Sequence, residues 1–181
     1  MTVTGLGVET GKRVIYADPP YIGQAKRHYG TEEVDHTTLI AQLQPYDGWA
    51  LSCSSSSLAL LLPLCPGARI GAWVKPFCSF KPNVNPAYAW EPVLYQPARK
   101  PGRESPTVRD WVSTNITLKK GLAGVKPPAF CFWLFRLLGM APGDEFIDLF
   151  PGSGAVSRAW QVWQQDILEL ARQRLEGEPR F

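Results

Sequence analysis

Short apolar runs alternate along the chain with stretches in which apolar residues recur every three or four positions, the pattern of a sheet with helices on its faces. Val14-Ile15-Tyr16-Ala17 is the first clear strand. Thr37 to Gln44 places Leu39, Ile40 and Leu43 on one helical face, and a strand follows at Trp49 to Cys53. Ser54 to Ser57 read as the polar cap of a short apolar helix, Leu58 to Leu64. Ile70 to Val74 predicts another strand, with Val93 to Gln96 pairing to it as an antiparallel edge hairpin. Pro128 to Met140 predicts an apolar helix, and Glu145-Phe146-Ile147 a strand running into Asp148. Val156, Trp160, Trp163, Ile167 and Leu170 then recur at near-helical spacing. Both tryptophans are expected in the core, with an interface as the alternative. Between residues 76 and 124 prolines are frequent and long apolar runs few, which predicts a loop-rich insert carried on the sheet, of the length that usually serves function or stays disordered.

Composition narrows the class. With 181 residues and 45% hydrophobic content, the chain can bury one core, so residues 1–181 are expected to form a single domain. A net charge of +3 permits nucleic-acid binding without arguing for it. Cys53, Cys65, Cys78 and Cys131 show neither a close pair nor histidines at metal-ligand spacing, so they read as reduced, mostly buried thiols, and no metal is expected. No apolar run is long enough to span a bilayer, and Met1 to Arg13 has no signal-peptide core. The expectation is a cytoplasmic protein without a membrane partner.

The chemistry begins where the first strand ends, at Asp18-Pro19-Pro20-Tyr21. An ionised aspartate only accepts hydrogen bonds. Prolines have no N–H, so their carbonyls stand in a rigid turn without competing donors. Tyr21 adds a flat face on which a flipped or single-stranded base can stack, a contact worth roughly 1–3 kcal/mol per base. Such a set suits an exocyclic amine, which loses conjugation with its ring when held this way and offers its lone pair to an electrophilic methyl group. The same tetrapeptide also reads as an ordinary strand followed by a proline turn. A second element shifts the balance. Asp148-Leu149-Phe150-Pro151-Gly152-Ser153-Gly154 lies between a strand and a helix. Its glycines allow close backbone approach to a ligand, and the helix N-terminus beyond favours a carboxylate or phosphate. The six-residue dinucleotide pattern is incomplete, with Ser157 in place of its last glycine.

Together the two elements resemble the S-adenosylmethionine-dependent amino-methyltransferases that modify adenine N6 or cytosine N4. Asp18 to Tyr21 resembles their catalytic motif and Asp148 to Gly154 their cofactor loop. Because the catalytic motif comes first, the order is similar to the permuted, so-called beta order and to the related adenine methyltransferases carrying Asp-Pro-Pro-Trp. Lys126-Pro127 ahead of the apolar helix resembles the segment that precedes the cofactor strand in that order. The resemblance covers roughly residues 13 to 165. It implies an α/β fold with a Rossmann-like class I methyltransferase sheet of circularly permuted motif order. It implies S-adenosyl-L-methionine as cofactor, with Ala17, Asp18, Lys126, Asp148, Phe150, Gly152, Ser153 and Gly154 around it, and Asp18, Pro19, Pro20 and Tyr21 as the catalytic set. Aspartate at the first position favours adenine, so adenine N6 in DNA is the implied target, with RNA and cytosine N4 as alternatives.

In most members of that family, the helix after the glycine loop leads to a second strand whose acidic end binds the cofactor ribose. Here the helical pattern runs on toward Phe181 instead, so the sheet is expected to be shortened at its C-terminal side, with the Asp148 strand near an edge. Asp166, or the pair Gln164 and Gln165, are candidates to replace the missing carboxylate, and a second subunit, a homodimer mate or another partner, could cover the site. Lys26, Arg27 and His28, beside Tyr29, are candidate phosphate contacts or simply a solvated loop. Lys75 and Lys81, near Trp73 and Phe77, invite the same reading. His36 reads as a polar helix-start residue, and a serine nucleophile among Ser54 to Ser57 is rejected for want of a histidine partner. The short insert predicts weak intrinsic sequence specificity, or specificity supplied by a partner. From other classes stand a catalytically silent module that binds nucleic acid or an active partner, and a methyltransferase for a protein glutamine side chain, whose enzymes typically carry Asn where this chain has Asp18.

Overall fold

The computed structural model describes residues 11–26, 30–77, 83–100, 102, 106–117 and 125–177. Six strands, β1 (Arg13–Ala17), β2 (Gly48–Ser52), β3 (Arg69–Val74), β4 (Trp90–Gln96), β5 (Trp111–Ser113) and β6 (Glu145–Asp148), form one sheet in the order β5-β3-β4-β2-β1-β6. β6, β1 and β2 run parallel. β4 is antiparallel to both its neighbours, β2 and β3, while β5 is parallel to β3. The helices are α1 (His36–Leu43), the single turn α2 (Leu58–Leu61), α3 (Pro128–Leu137) and α4 (Ala155–Gly177).

Why β1 reads as an unbroken apolar run is clear from its two faces, both of which are covered. Val14 and Tyr16 join a core with Trp73, Tyr95 and the α3 and α4 residues Phe130, Phe135 and Trp160. Ile15 and Ala17 join the opposite core with Leu39, Ile40 and Leu43 of α1 and Leu61 of α2. The period-two alternation of a strand thus divides the chain's apolar residues between two layers. α3 starts at Pro128, whose missing N–H costs nothing at a helix N-terminus. It lies so close to the sheet that a Cβ at Gly71 would stand 2.9 Å from the Trp133 ring. On α4, Trp160 and Trp163 are buried and stack at 5.2 Å with 20° between their rings, flanked edge-on by Phe135. The core placement expected for these tryptophans holds.

At the N-terminal end of β1 a single carboxylate ties three segments together. Asp144 accepts from both Arg99 guanidinium nitrogens at 2.6 and 2.8 Å, and from the N–H groups of Lys12 and Ala141, each at 2.8 Å. Burial alone would raise its pKa, but these donors outweigh burial and hold it below the usual carboxylate range.

The elements differ from the expected ones in informative places. The hairpin of β3 and β4 forms, but β4 is its inner strand, and the unforeseen β5 lies beyond β3. β4 begins at Trp90, inside the stretch read as loop: Pro92 lies opposite Ala72 and its carbonyl accepts from the Cys53 N–H, while Val93 and Tyr95 alternate into the core beneath α3. The expected helix Leu58 to Leu64 is one α-turn between two 3-10 turns, Ser55–Ser57 and Leu62–Leu64, the second holding Pro63. Ser54 does not cap a backbone N–H; its hydroxyl bonds those of Ser56 and Ser57. α3 stops at Leu137, short of Met140, with Gly139 in the left-handed region at φ 66°. Asp35 caps α1, and His36 is buried with Nδ1 against the Val34 carbonyl. As expected, β6 is a sheet edge among the described residues. No helix among them is long and apolar enough to cross a membrane.

Candidate active site

The two motifs, about 130 positions apart in sequence, meet because β1 and β6 are neighbouring parallel strands with Tyr16 opposite Asp148. Both strands therefore deliver their C-terminal loops to the same end of the sheet, where open parallel sheets place ligands. The Leu149 N–H donates to the Tyr16 carbonyl at 2.9 Å, which locks the two strand ends in register. A cavity of about 500 Å³ opens there, walled by Asp18 and Pro20 from one motif and by Leu149, Phe150, Pro151, Gly152 and Ser153 from the other.

Asp18 is not alone. Lys126, arriving just ahead of α3, sets its ammonium 3.0 Å from Asp18 Oδ2 and 3.5 Å from Glu91 Oε2. The Lys75 ammonium donates to Glu91 Oε1, so the two Glu91 oxygens are divided between two lysines. Lys126 lies over the Phe130 and Trp73 rings, and Lys75 over Trp73. Burial pushes the Asp18 carboxyl up, and Lys126 only partly offsets it. For Glu91 the balance is opposite: burial raises it, but Lys126, Lys75 and Tyr21 more than compensate, so it is held below the ordinary glutamate range. Lys126 pays for its burial through Asp18 and Glu91, and its pKa rises accordingly. Burial first, then Glu91 and Asp18, drive the Tyr21 phenol far up, so it stays protonated and remains a donor.

Across the cavity, Asp148 accepts from the Ser157 hydroxyl through Oδ2 at 3.0 Å, while its buried Oδ1 has no partner. An acceptor left empty beside the cavity fits an ammonium group, such as that of the amino-acid part of S-adenosylmethionine. Gly152 and Gly154 both lie in the left-handed region, at φ 45° and 71°, which bends the chain back into α4 and leaves no side chain at these two positions. This set, a glycine turn with an orphaned carboxylate oxygen close by in the chain, fits the group that the sequence resemblance implies.

The structure thus brings together Asp18, Pro20, Lys126, Phe150, Gly152 and Ser153 as wall residues of one cavity, with Asp148 and Gly154 beside them. Ala17 is fully buried below, and Pro19 is buried in the turn. Lys75, expected as a phosphate contact, is instead turned into the ion cluster at Glu91. Lys26 is exposed, whereas Arg27, His28 and Lys81 lie outside the described residues. Asp166 and Gln165 are exposed on α4, and neither they nor Gln164 line the cavity. Cys53, Cys65 and Cys131 are free and buried, and burial pushes the Cys53 and Cys131 thiols up to about 12, which leaves them protonated and unreactive; Cys78 lies outside the described residues. Among the described residues no cluster could hold a metal. Sequence reasoning missed Tyr16, Thr31, Glu32 and Val34 at the cavity, and Glu91 beside it. Glu91 had a signal: alternation counted back from Tyr95 and Val93 puts it on the buried face.

Solved structures share the overall fold. The crystal structure of an M1.HpyAVI–SAM complex superposes with a TM-score of 0.57 at 18% identity, covering 86% of this chain and 79% of that one. The fold is shared. M1.HpyAVI on its own gives 0.54 at 17% identity, over 86% of this chain and 77% of that one. Rossmann-like in its parallel half and carrying one antiparallel hairpin, the sheet shares its fold with those two structures. No family's sequence profile and no curated protein matches the chain by sequence.

Proposed function

We propose that the protein transfers a methyl group from S-adenosylmethionine to the exocyclic amine of a nucleic-acid base, adenine N6 in DNA. One observation carries this: the acceptor-rich Asp18 turn and the glycine loop after Asp148 open onto one cavity. Likeness in fold to a protein solved with SAM supports it. Bound S-adenosylmethionine supplies an electrophilic methyl group. Asp148, through its unpartnered Oδ1, and the Phe150 to Gly154 turn would hold it, with Lys126 and Ala17 below. With Lys126 on Oδ2, Asp18 keeps Oδ1 as an acceptor for the amine, beside the proline carbonyls of Pro19 and Pro20. Tyr21 supplies the stacking face. Two acceptors on one amine rotate its lone pair out of conjugation, and the methylated nitrogen then sheds its proton without a dedicated base. Such catalysis is positioning plus electrostatics.

The deciding experiment incubates the protein with labelled S-adenosylmethionine and unmethylated DNA or RNA, followed by nucleoside digestion. Labelled N6-methyladenine from DNA is expected. Label in RNA or at cytosine N4 would redirect the substrate, and cofactor binding without transfer to any polymer would favour a silent module, a reading that the sheet's end at β6 among the described residues supports.

A further inference from the structure

Asp18, the side chain assigned to the amine, depends on another that it does not touch. Glu91 sits on β4 opposite Trp73 of β3, on the face that Val93 and Tyr95 also use. Its side chain is only 18% exposed, and its two oxygens are divided between Lys75 and Lys126. Lys126, 5% exposed, spans the gap from Glu91 to Asp18. Two ammonium groups and two carboxylates therefore balance in charge, and each lysine is held over an aromatic ring. Charge-assisted hydrogen bonds in a low-dielectric site fix side chains more tightly than packing alone.

The geometry points to Glu91 as a positioning residue that sets the amine acceptor Asp18 through Lys126. Its role rests on the methyl transfer proposed above. Without the Glu91 charge, Lys126 pairs with Asp18 alone and draws its carboxylate toward the ammonium, away from an incoming amine. Small misplacements of this kind cost rate rather than cofactor affinity.

The test compares wild type with Glu91→Gln, Lys75→Met and the double variant, measuring kcat and KM for an unmethylated oligonucleotide and the Kd for S-adenosylhomocysteine. Glu91→Gln is expected to lower kcat by about 10- to 100-fold, with cofactor affinity changed by no more than about twofold. Because both substitutions break one connection, the double variant should lose far less than the product of the single losses. The acid limb of the rate profile should also move to lower pH in Glu91→Gln, since Glu91 opposes ionisation of Asp18; Lys126, Lys75, Tyr16, Tyr21, Cys131 and Asp148, the other titrating groups around Asp18 and Glu91, are all intact in that variant. An unchanged kcat, multiplicative losses, or a fall in cofactor affinity that matches the fall in rate would overturn the role. Should Glu91→Gln fail to fold, Lys75→Met decides: a kcat several-fold down supports the anchor, and an unaffected kcat removes it. An inactive wild type would instead sink the methyl-transfer reading itself, and Glu91's role with it.

Discussion

At Asp18, burial and charge oppose each other. Desolvation raises its pKa, the Lys126 ammonium restrains the rise, and the net value stays above that of an ordinary aspartate. A group shifted this way is protonated in the folded protein at pH values where the unfolded chain is already ionised, so it weakens stability as pH rises through that window. For catalysis the ionised form is the one required, since it holds Lys126 on Oδ2 and leaves Oδ1 to accept from an amine. Methyl transfer should therefore fall off in acid at a pH above the usual aspartate range of about 3.9. Asp18→Ala should cut kcat by about 10²–10³-fold while the Kd for S-adenosylhomocysteine stays close to wild type. A pH–rate profile and a calorimetric titration of the two proteins check this, and loss of binding in step with activity would move Asp18 to the cofactor side. The Asp18 tetrad is legible in sequence because its chemistry is contiguous and sits at a strand end. Glu91 is hard to read because its partners lie far away in the chain: Lys75 precedes it by 16 positions and Lys126 follows by 35.

Elements carry a second lesson, about which ends of strands are anchored. The C-terminal ends of β1 and β6 are left to loops and a cavity, so stability has to come from the opposite end. Asp144 supplies it by joining Lys12 before β1, Ala141 after α3 and Arg99 after β4. Asp144→Asn keeps the shape but trades the charge-assisted bonds from Arg99 for bonds to a neutral amide, at a cost of about 1–3 kcal/mol. Denaturant melts should show that loss at pH 7. Because the folded pKa of Asp144 is lowered, its contribution is complete above the ordinary range and fades as pH falls toward the folded value; the gap between wild type and Asp144→Asn should narrow on acidification. Equal gaps at pH 7 and pH 3 would show that the carboxylate's charge is not what holds these segments. The parallel core strands were legible from their apolar runs, and so was α4. β5 was not, since three residues, two of them exposed, carry no periodic signal, and its place is set by pairing to β3.

For the whole molecule, a ligand that bridges the β1 and β6 loops binds only when both strands are in register, so it adds its binding free energy to folding. At a hundred times its Kd, S-adenosylhomocysteine should stabilise the protein by about 2.7 kcal/mol. A thermal melt with and without it measures this, and Asp18→Ala should keep the shift, whereas a Gly154→Val variant, forced out of its left-handed turn, should lose it. An absent shift in wild type would argue against the cofactor. The stacked indoles of Trp160 and Trp163 add a property beyond packing. Two identical transition dipoles held 5.2 Å apart at a fixed angle couple to each other, so the helix that begins at the glycine turn carries its own chiroptical gauge. The split circular-dichroism signal of that pair reports, without any label, whether α4 is seated on Phe135, and hence whether the turn at its N-terminus is shaped to receive a ligand.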